Sequence, residues 1–156
     1  MAKNNASVYE VERYIDFILC DALRMGRVIR CGSLFDVAFA SPPWGGPDYL
    51  KEVRFDPEQM LPVDCVQMVR TMGELVSGHH VRGEDKPRAA ALGPSRTATS
   101  VYYMPRNTDL VAFVRLLQST LKLPRSTRLE IEHHYLDDRL KVIIIYLMME
   151  GGGSLE

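Results

Sequence analysis

The sequence predicts one α/β domain whose sheet ends in an antiparallel hairpin. Three observations lead there. Short apolar, β-branched or aromatic runs alternate with segments of helical period along most of the chain. Two long β-patterned runs, RLEIEHHYL at 128–136 and LKVIIIYLM at 140–148, follow with only Asp137-Asp138-Arg139 between them, so the last strand enters antiparallel. Finally, 156 residues with 46% hydrophobic and 25% charged side chains are the size and make-up of one globular domain with a real core.

Taken in order, residues 2–13 read as the back half of a helix, with Val8 and Val11 on one side and Glu10, Glu12 and Arg13 toward solvent. YIDFILC, 14–20, is a strand candidate ending at Asp21, and 22–30 a short helix or turn. The run 35–40, FDVAFA, is a second strand. A helix follows across about 57–76, with Pro62 as a first-turn boundary or a kink. Residues 77–98 lack an apolar period and are rich in Gly, Pro and Ala, which reads as an exposed insertion. SVYYM at 100–104 is a strand, and 108–121 carries Leu110, Val111, Val114, Leu117 and Leu121 at helical spacing behind Thr108 as N-cap. The hairpin closes a domain of 1–149, and 150–156 form a flexible tail. The alternation suits a sheet with helices on both faces.

Composition excludes several functions. A net charge of -1 offers no general attraction to polyanions, so duplex DNA is not an expected partner and any nucleic-acid contact rests on a few placed cations. Cys20, Cys31 and Cys65 are odd in number and lack metal-ligand spacing, which points to a reducing compartment and no zinc site. His79-His80 and His133-His134 are sequence neighbours, which do not share a face of a helix or strand. The start has no apolar signal core, and the longest apolar run, 142–149, is too short to span a bilayer; neither secretion nor a membrane is expected.

The densest stretch is SPPWGGPDYL, 41–50, at the carboxyl end of the second strand, where open α/β sheets bind ligands. Pro42-Pro43 fixes two φ angles and leaves its carbonyls free. Trp44, the sole tryptophan, follows, and Gly45-Gly46 permits a sharp bend. A stiff carbonyl beside an aromatic face suits a planar base carrying an amino group. Trp44 could equally be a turn residue packed on the core.

Several blocks together carry a resemblance: NNASVY, IDFILCDAL, DVAFASPPWGGPDY, VYYMPRN and LEIEHHYLDDRLKVIIIY. In this order they resemble the trimethylguanosine synthase family of cap hypermethylases, over nearly the whole chain except 77–98 and the tail. The resemblance implies a class I methyltransferase-like, Rossmann-like sheet. It also implies transfer of methyl groups from S-adenosylmethionine to the exocyclic N2 of a 7-methylguanosine cap, giving 2,2,7-trimethylguanosine. Ser41 and the Pro42 carbonyl would hold the hydrogens of the amine while its lone pair points at the donor. Trp44 would stack on the cationic base, with Tyr49 and Asn107 beside it as further substrate contacts. Arg106 would contact cap phosphates, unless it is simply a turn arginine. Asp21 would bind the cofactor's adenine amino group together with Ser41 and Pro42, and could also cap the following turn. The implied partner is capped small nuclear, nucleolar or spliced-leader-type RNA, in the nucleus.

The family's glycine-rich first turn and the acidic end of its second strand find no counterpart before Tyr14. The expected sheet therefore lacks its first strands, and 14–20 either packs beside 35–40 or leaves an open edge. Three arrangements follow: part of an active methyltransferase, a non-catalytic cap-binding or interaction protein, or one half of an enzyme completed by another chain or by self-association.

Overall fold

A computed structural model describes residues 1–25, 29, 35–77, 97–123 and 125–150. Most of the expected insertion and the tail beyond Glu150 lie outside the described residues. The elements are α1 (Ala2–Val8), β1 (Val37–Ala40), α2 (Pro57–Met60), α3 (Cys65–Ser77), β2 (Thr97–Pro105), α4 (Leu110–Thr120), β3 (Arg128–Leu136) and β4 (Arg139–Glu150). Short 3-10 turns cover Glu12–Tyr14, Ala22–Arg24 and Gly46–Lys51. Among the described residues no helix is long and apolar enough to cross a membrane.

The strands form one sheet in the order β1-β2-β4-β3. β1 runs parallel to β2, with Val37 beside Thr99 and Ala40 beside Tyr102. β4 is antiparallel to both its neighbours, so the last strand is inserted as expected. Its turn is tighter than the sequence suggested, with Asp137 (φ 50°) and Asp138 (φ 59°) both left-handed. Two such residues are what a two-residue hairpin loop requires for its twist to match the strands.

One face of the sheet carries Ala38, Ser100, Tyr102, Met104, Ile143, Ile145 and Leu147, which alternate along their strands and are buried. α3 and α4 both pack there, and Tyr102 meets Phe113 of α4 edge to face, with ring centroids 5.1 Å apart. Gly73 lets α3 approach the chain after α4, since a Cβ there would lie 2.7 Å from a Leu121 methyl. Burial pushes the Cys65 thiol at the start of α3 up to about 12, with nearby Glu58, Asp64 and Asp56 adding to the effect.

Several expectations are corrected. Helices are expected on both faces; among the described residues the two that pack on the sheet share one, and on the other Val37 is 56% and Phe39 61% exposed. α1 stops at Val8, with Glu10 at φ 57° breaking the helix, so only Ala6 of it is buried. The run 14–20 forms no strand: Ile15 has extended backbone, yet Leu19 is fully exposed. A continuous apolar run suits a strand buried on both faces and paired at its edges, and among the described residues neither condition is met. Among the described residues, no strand pairs with the outer edge of β1. Thr108 does not cap α4. Asp109 does, its carboxylate accepting from the amides of Val111 and Ala112, each at 3.1 Å, while the Thr108 hydroxyl donates to the Pro105 carbonyl at 2.7 Å. Pro62 acts as the boundary expected of it: Leu61, held extended before the proline, ends α2, and Asp64 caps α3 through the Gln67 amide at 2.8 Å.

Two substitutions test this packing. Phe113→Ala should cost about 3–5 kcal/mol as a core cavity, and Asp109→Ala about 1 kcal/mol as a lost cap, both measured by urea unfolding.

Candidate active site

The carboxyl end of β1 opens into a cleft of about 570 Å³ between the β1 edge, α3 and the turn after Asp21. Asp21, Phe39, Ala40, Ser41, Pro42 and Thr71 are among its walls. α3 places the Asp21 turn: the Thr71 hydroxyl and the Gln67 amide donate to the Leu23 carbonyl at 2.8 and 3.3 Å. Asp21 itself caps the turn, accepting from the Leu23 amide at 3.0 Å, and its second oxygen pairs with Arg24 at 3.3 Å. The capping role foreseen for it is therefore present, and its carboxylate stays exposed at the cleft mouth. Asp21, Ser41 and Pro42 line the same cleft.

Beyond Pro43 the chain folds back over the open face of β2. Trp44 stacks on Tyr103, with centroids 5.6 Å apart and planes 17° from parallel, and its indole N–H donates to the Tyr103 carbonyl at 3.4 Å. Its edge meets Tyr49, 5.3 Å away at 81°. Gly45 (φ 84°) and Gly46 (φ 77°) make the bend between these two aromatics in the left-handed region. Trp44 is thus a packed turn residue, as the plainer reading had it, and remains half-buried rather than enclosed.

Asn107 is bonded to the protein through its side-chain nitrogen and its backbone carbonyl, while its Oδ1 is buried without a partner among the described residues. Its amide group donates to the carbonyls of Tyr49 at 3.0 Å and Glu52 at 2.9 Å, and its own backbone carbonyl accepts from the Phe55 amide at 2.8 Å. The Asp109 amide continues the zipper to the Phe55 carbonyl at 2.8 Å. Asn107 therefore holds the turn that carries Tyr49. Arg106 points elsewhere, its guanidinium reaching the Leu140 carbonyl of β4 at 3.5 Å. The structure gathers Trp44, Tyr49 and Asn107 into one cluster and leaves Arg106 at its border.

Sequence reasoning missed Tyr103 and Phe39. Phe39 lines the cleft, and its ring lies 6.3 Å from that of Tyr103, so an aromatic row joins the cleft to Trp44. The available signal was pleat: with Tyr102 in the core, Tyr103 must face the other side, beneath the loop from β1.

A family model for RNA cap guanine-N2 methyltransferases matches residues 1–150. The chain belongs to that family. It is also similar to the trimethylguanosine synthase of Saccharomyces cerevisiae (strain ATCC 204508 / S288c), with 28% identity over 88 residues, which is 56% of this chain and 21% of the relative. The chain thus spans about a fifth of the length of that curated relative. Membership of the cap guanine-N2 methyltransferase family implies S-adenosylmethionine as methyl donor. The cleft fits part of that molecule. Its largely apolar walls suit an adenine ring and Asp21 offers an acceptor, whereas none of its walls among the described residues is cationic to hold an amino-acid carboxylate.

The bend is open to test. Gly45→Ala or Gly46→Ala should cost about 1–2 kcal/mol each in chemical unfolding, because each forces a side chain into left-handed backbone. Tyr103→Leu should shift Trp44 emission to longer wavelength by uncovering one indole face.

Proposed function

We propose that this chain carries the base-recognition side of a cap hypermethylase, which adds methyl groups to N2 of 7-methylguanosine and yields 2,2,7-trimethylguanosine. The observation that supports this most is the place of Ser41-Pro42. These two residues lie at the lip of the cleft that holds Asp21, three and two positions before the Trp44 platform.

An exocyclic guanine amine is a weak nucleophile because its lone pair is conjugated with the ring. Ser41 and the Pro42 carbonyl accept its hydrogens and so turn the lone pair toward the cleft, which is positioning rather than strong base catalysis. S-adenosylmethionine, which Asp21 and the cleft walls would hold by its adenine, would supply an electrophilic methyl group there. Trp44 offers the face not covered by Tyr103 to the cationic base, and Tyr49 borders it. Asn107 acts in this reading by holding Tyr49 in place. Arg106 meets the phosphates at the border of the platform. The substrates are capped small nuclear, nucleolar or spliced-leader-type RNAs in the nucleus.

A second reading, cap binding without catalysis by the isolated chain, draws on the outer edge of β1, which no strand among the described residues pairs, and on the absence of a cation among the described cleft walls. A strand from a complementing chain or a second copy laid along that edge would enclose the cleft. Calorimetric titration tests the second reading. The chain alone should bind S-adenosylmethionine more weakly than micromolar, the level equivalent to about 8 kcal/mol, and tighter binding would reject the second.

Quenching of Trp44, the sole indole, tests the platform itself. Methylation at N7 makes the base cationic, an attraction of about 0.5–2 kcal/mol to the indole, so 7-methylguanosine nucleotides should bind about two- to thirty-fold better than guanosine nucleotides. Trp44→Ala should remove the preference and Trp44→Phe keep part of it. Equal quenching by both nucleotides would return Trp44 to a purely structural role.

A further inference from the structure

We propose that Lys141 and Arg139, at the start of β4, extend the Arg106 contact into a track for the phosphates of single-stranded RNA that follows a cap. The inference rests on the cap-binding reading above and concerns a surface outside the Trp44 cluster.

Arg106 immediately follows Pro105, which pairs with Val142. Arg106 lies in the turn that follows, and its guanidinium reaches the carbonyl of Leu140, between Lys141 and Arg139. That contact brings Arg106 to the start of β4, where Arg139 and Lys141 occupy alternate positions, so the three cations share this end of the sheet. Asn107, one residue from Arg106, ties this rim to the turn bearing Tyr49. A chain leaving the base platform therefore meets Arg106 first, then Lys141 and Arg139.

Their charge is available, unlike that of other cations near the site. Lys51 pairs with Asp48 at 2.6 Å, Arg54 with Asp109 at 3.5 Å and Arg24 with Asp21 at 3.3 Å. Arg106, Arg139 and Lys141 are exposed, and among the described residues none of them has a carboxylate within ion-pair distance. Asp137 and Asp138 form the turn beyond Arg139, and their negative charge repels phosphates at the tip, which ends the track there. Duplex nucleic acid needs a broader basic surface than three cations in a chain of net charge -1, and a flexible single strand can follow a rim of this width.

The test follows Trp44 quenching, and the fluorescence anisotropy of a 3′ label on the oligoribonucleotides, over a range of salt with three ligands: a 7-methylguanosine cap dinucleotide, a short oligoribonucleotide bearing that cap, and the same oligoribonucleotide uncapped. The capped oligoribonucleotide should bind several-fold tighter than the dinucleotide, and the gap should close as salt rises. Arg139→Ala/Lys141→Ala should erase the gap, flatten the salt slope by about 0.7 for each cation removed, and leave dinucleotide affinity unchanged. Lys141→Arg should retain the gap, and Lys122→Ala, beyond the end of α4, should not alter it. A wild-type chain that binds both capped ligands equally, or a double variant that keeps the gap, would overturn the track. If the dinucleotide leaves Trp44 unquenched while the uncapped strand binds with a slope that depends on Arg139 and Lys141, the cap reading fails and the track stands. Binding of none of the three overturns both.

Discussion

The two neighbouring tyrosines of β2 hold the molecule together from opposite sides. Pleat sends Tyr102 into the helix-covered core against Phe113 and Tyr103 onto the other face beneath Trp44. One pair fixes α4 to the sheet, and the other fixes the loop that leaves β1. A register slip of a single residue at β2 would exchange these faces, burying Tyr103 among aliphatic side chains and removing the floor beneath the indole. The long ladder with β4, from Thr97 beside Glu150 to Pro105 beside Val142, is what prevents that slip. The geometry at the end of β1 is therefore set by pairing on the far side of β2.

The second support is the parallel seam between 49–55 and 105–109. Asn107 satisfies two carbonyls of the turn, and Phe55 exchanges backbone hydrogen bonds with Asn107 and Asp109. The loop from β1 is thus anchored at both ends, by Trp44 on Tyr103 and by this seam. The Pro-Pro step and the two left-handed glycines supply its shape, and the seam supplies its position. A binding loop built in this way loses little freedom when a ligand arrives, which favours affinity.

Much of this was legible in the residues. The hairpin could be read because its alternation and its turn agree. The loop at 41–50 could be read because proline, glycine and tryptophan each have few uses, and three of them coincide. The break at Pro62 follows from the ring chemistry of proline alone. What was not legible depended on partners. The run 14–20 has the composition of a strand, but a strand exists only when a neighbour takes its hydrogen bonds. Asn107 is chemically suited to a ligand or to a backbone carbonyl, and only the approach of Tyr49 and Glu52 decides between them. Thr108 and Asp109 can each cap a helix, and the choice fell to the residue whose carboxylate reaches two amides. Tyr103 was concealed by lying next to a core residue of the same type.

The order of pairing in the sheet has a consequence for how the chain acquires its site. β3 and β4 are joined by a two-residue turn, so they meet with almost no loop to close, and β2 then docks along β4. β1 must find β2 across the whole span from residue 41 to residue 96, a closure that costs entropy before any contact repays it. It does so with four residues and one paired edge. With the shortest ladder of the four strands, β1 is expected to open ahead of the hairpin. The cleft and the Pro-Pro-Trp loop hang from the most easily detached strand of the sheet, so a ligand gripping both sides of the cleft stabilises the region where the native state is weakest.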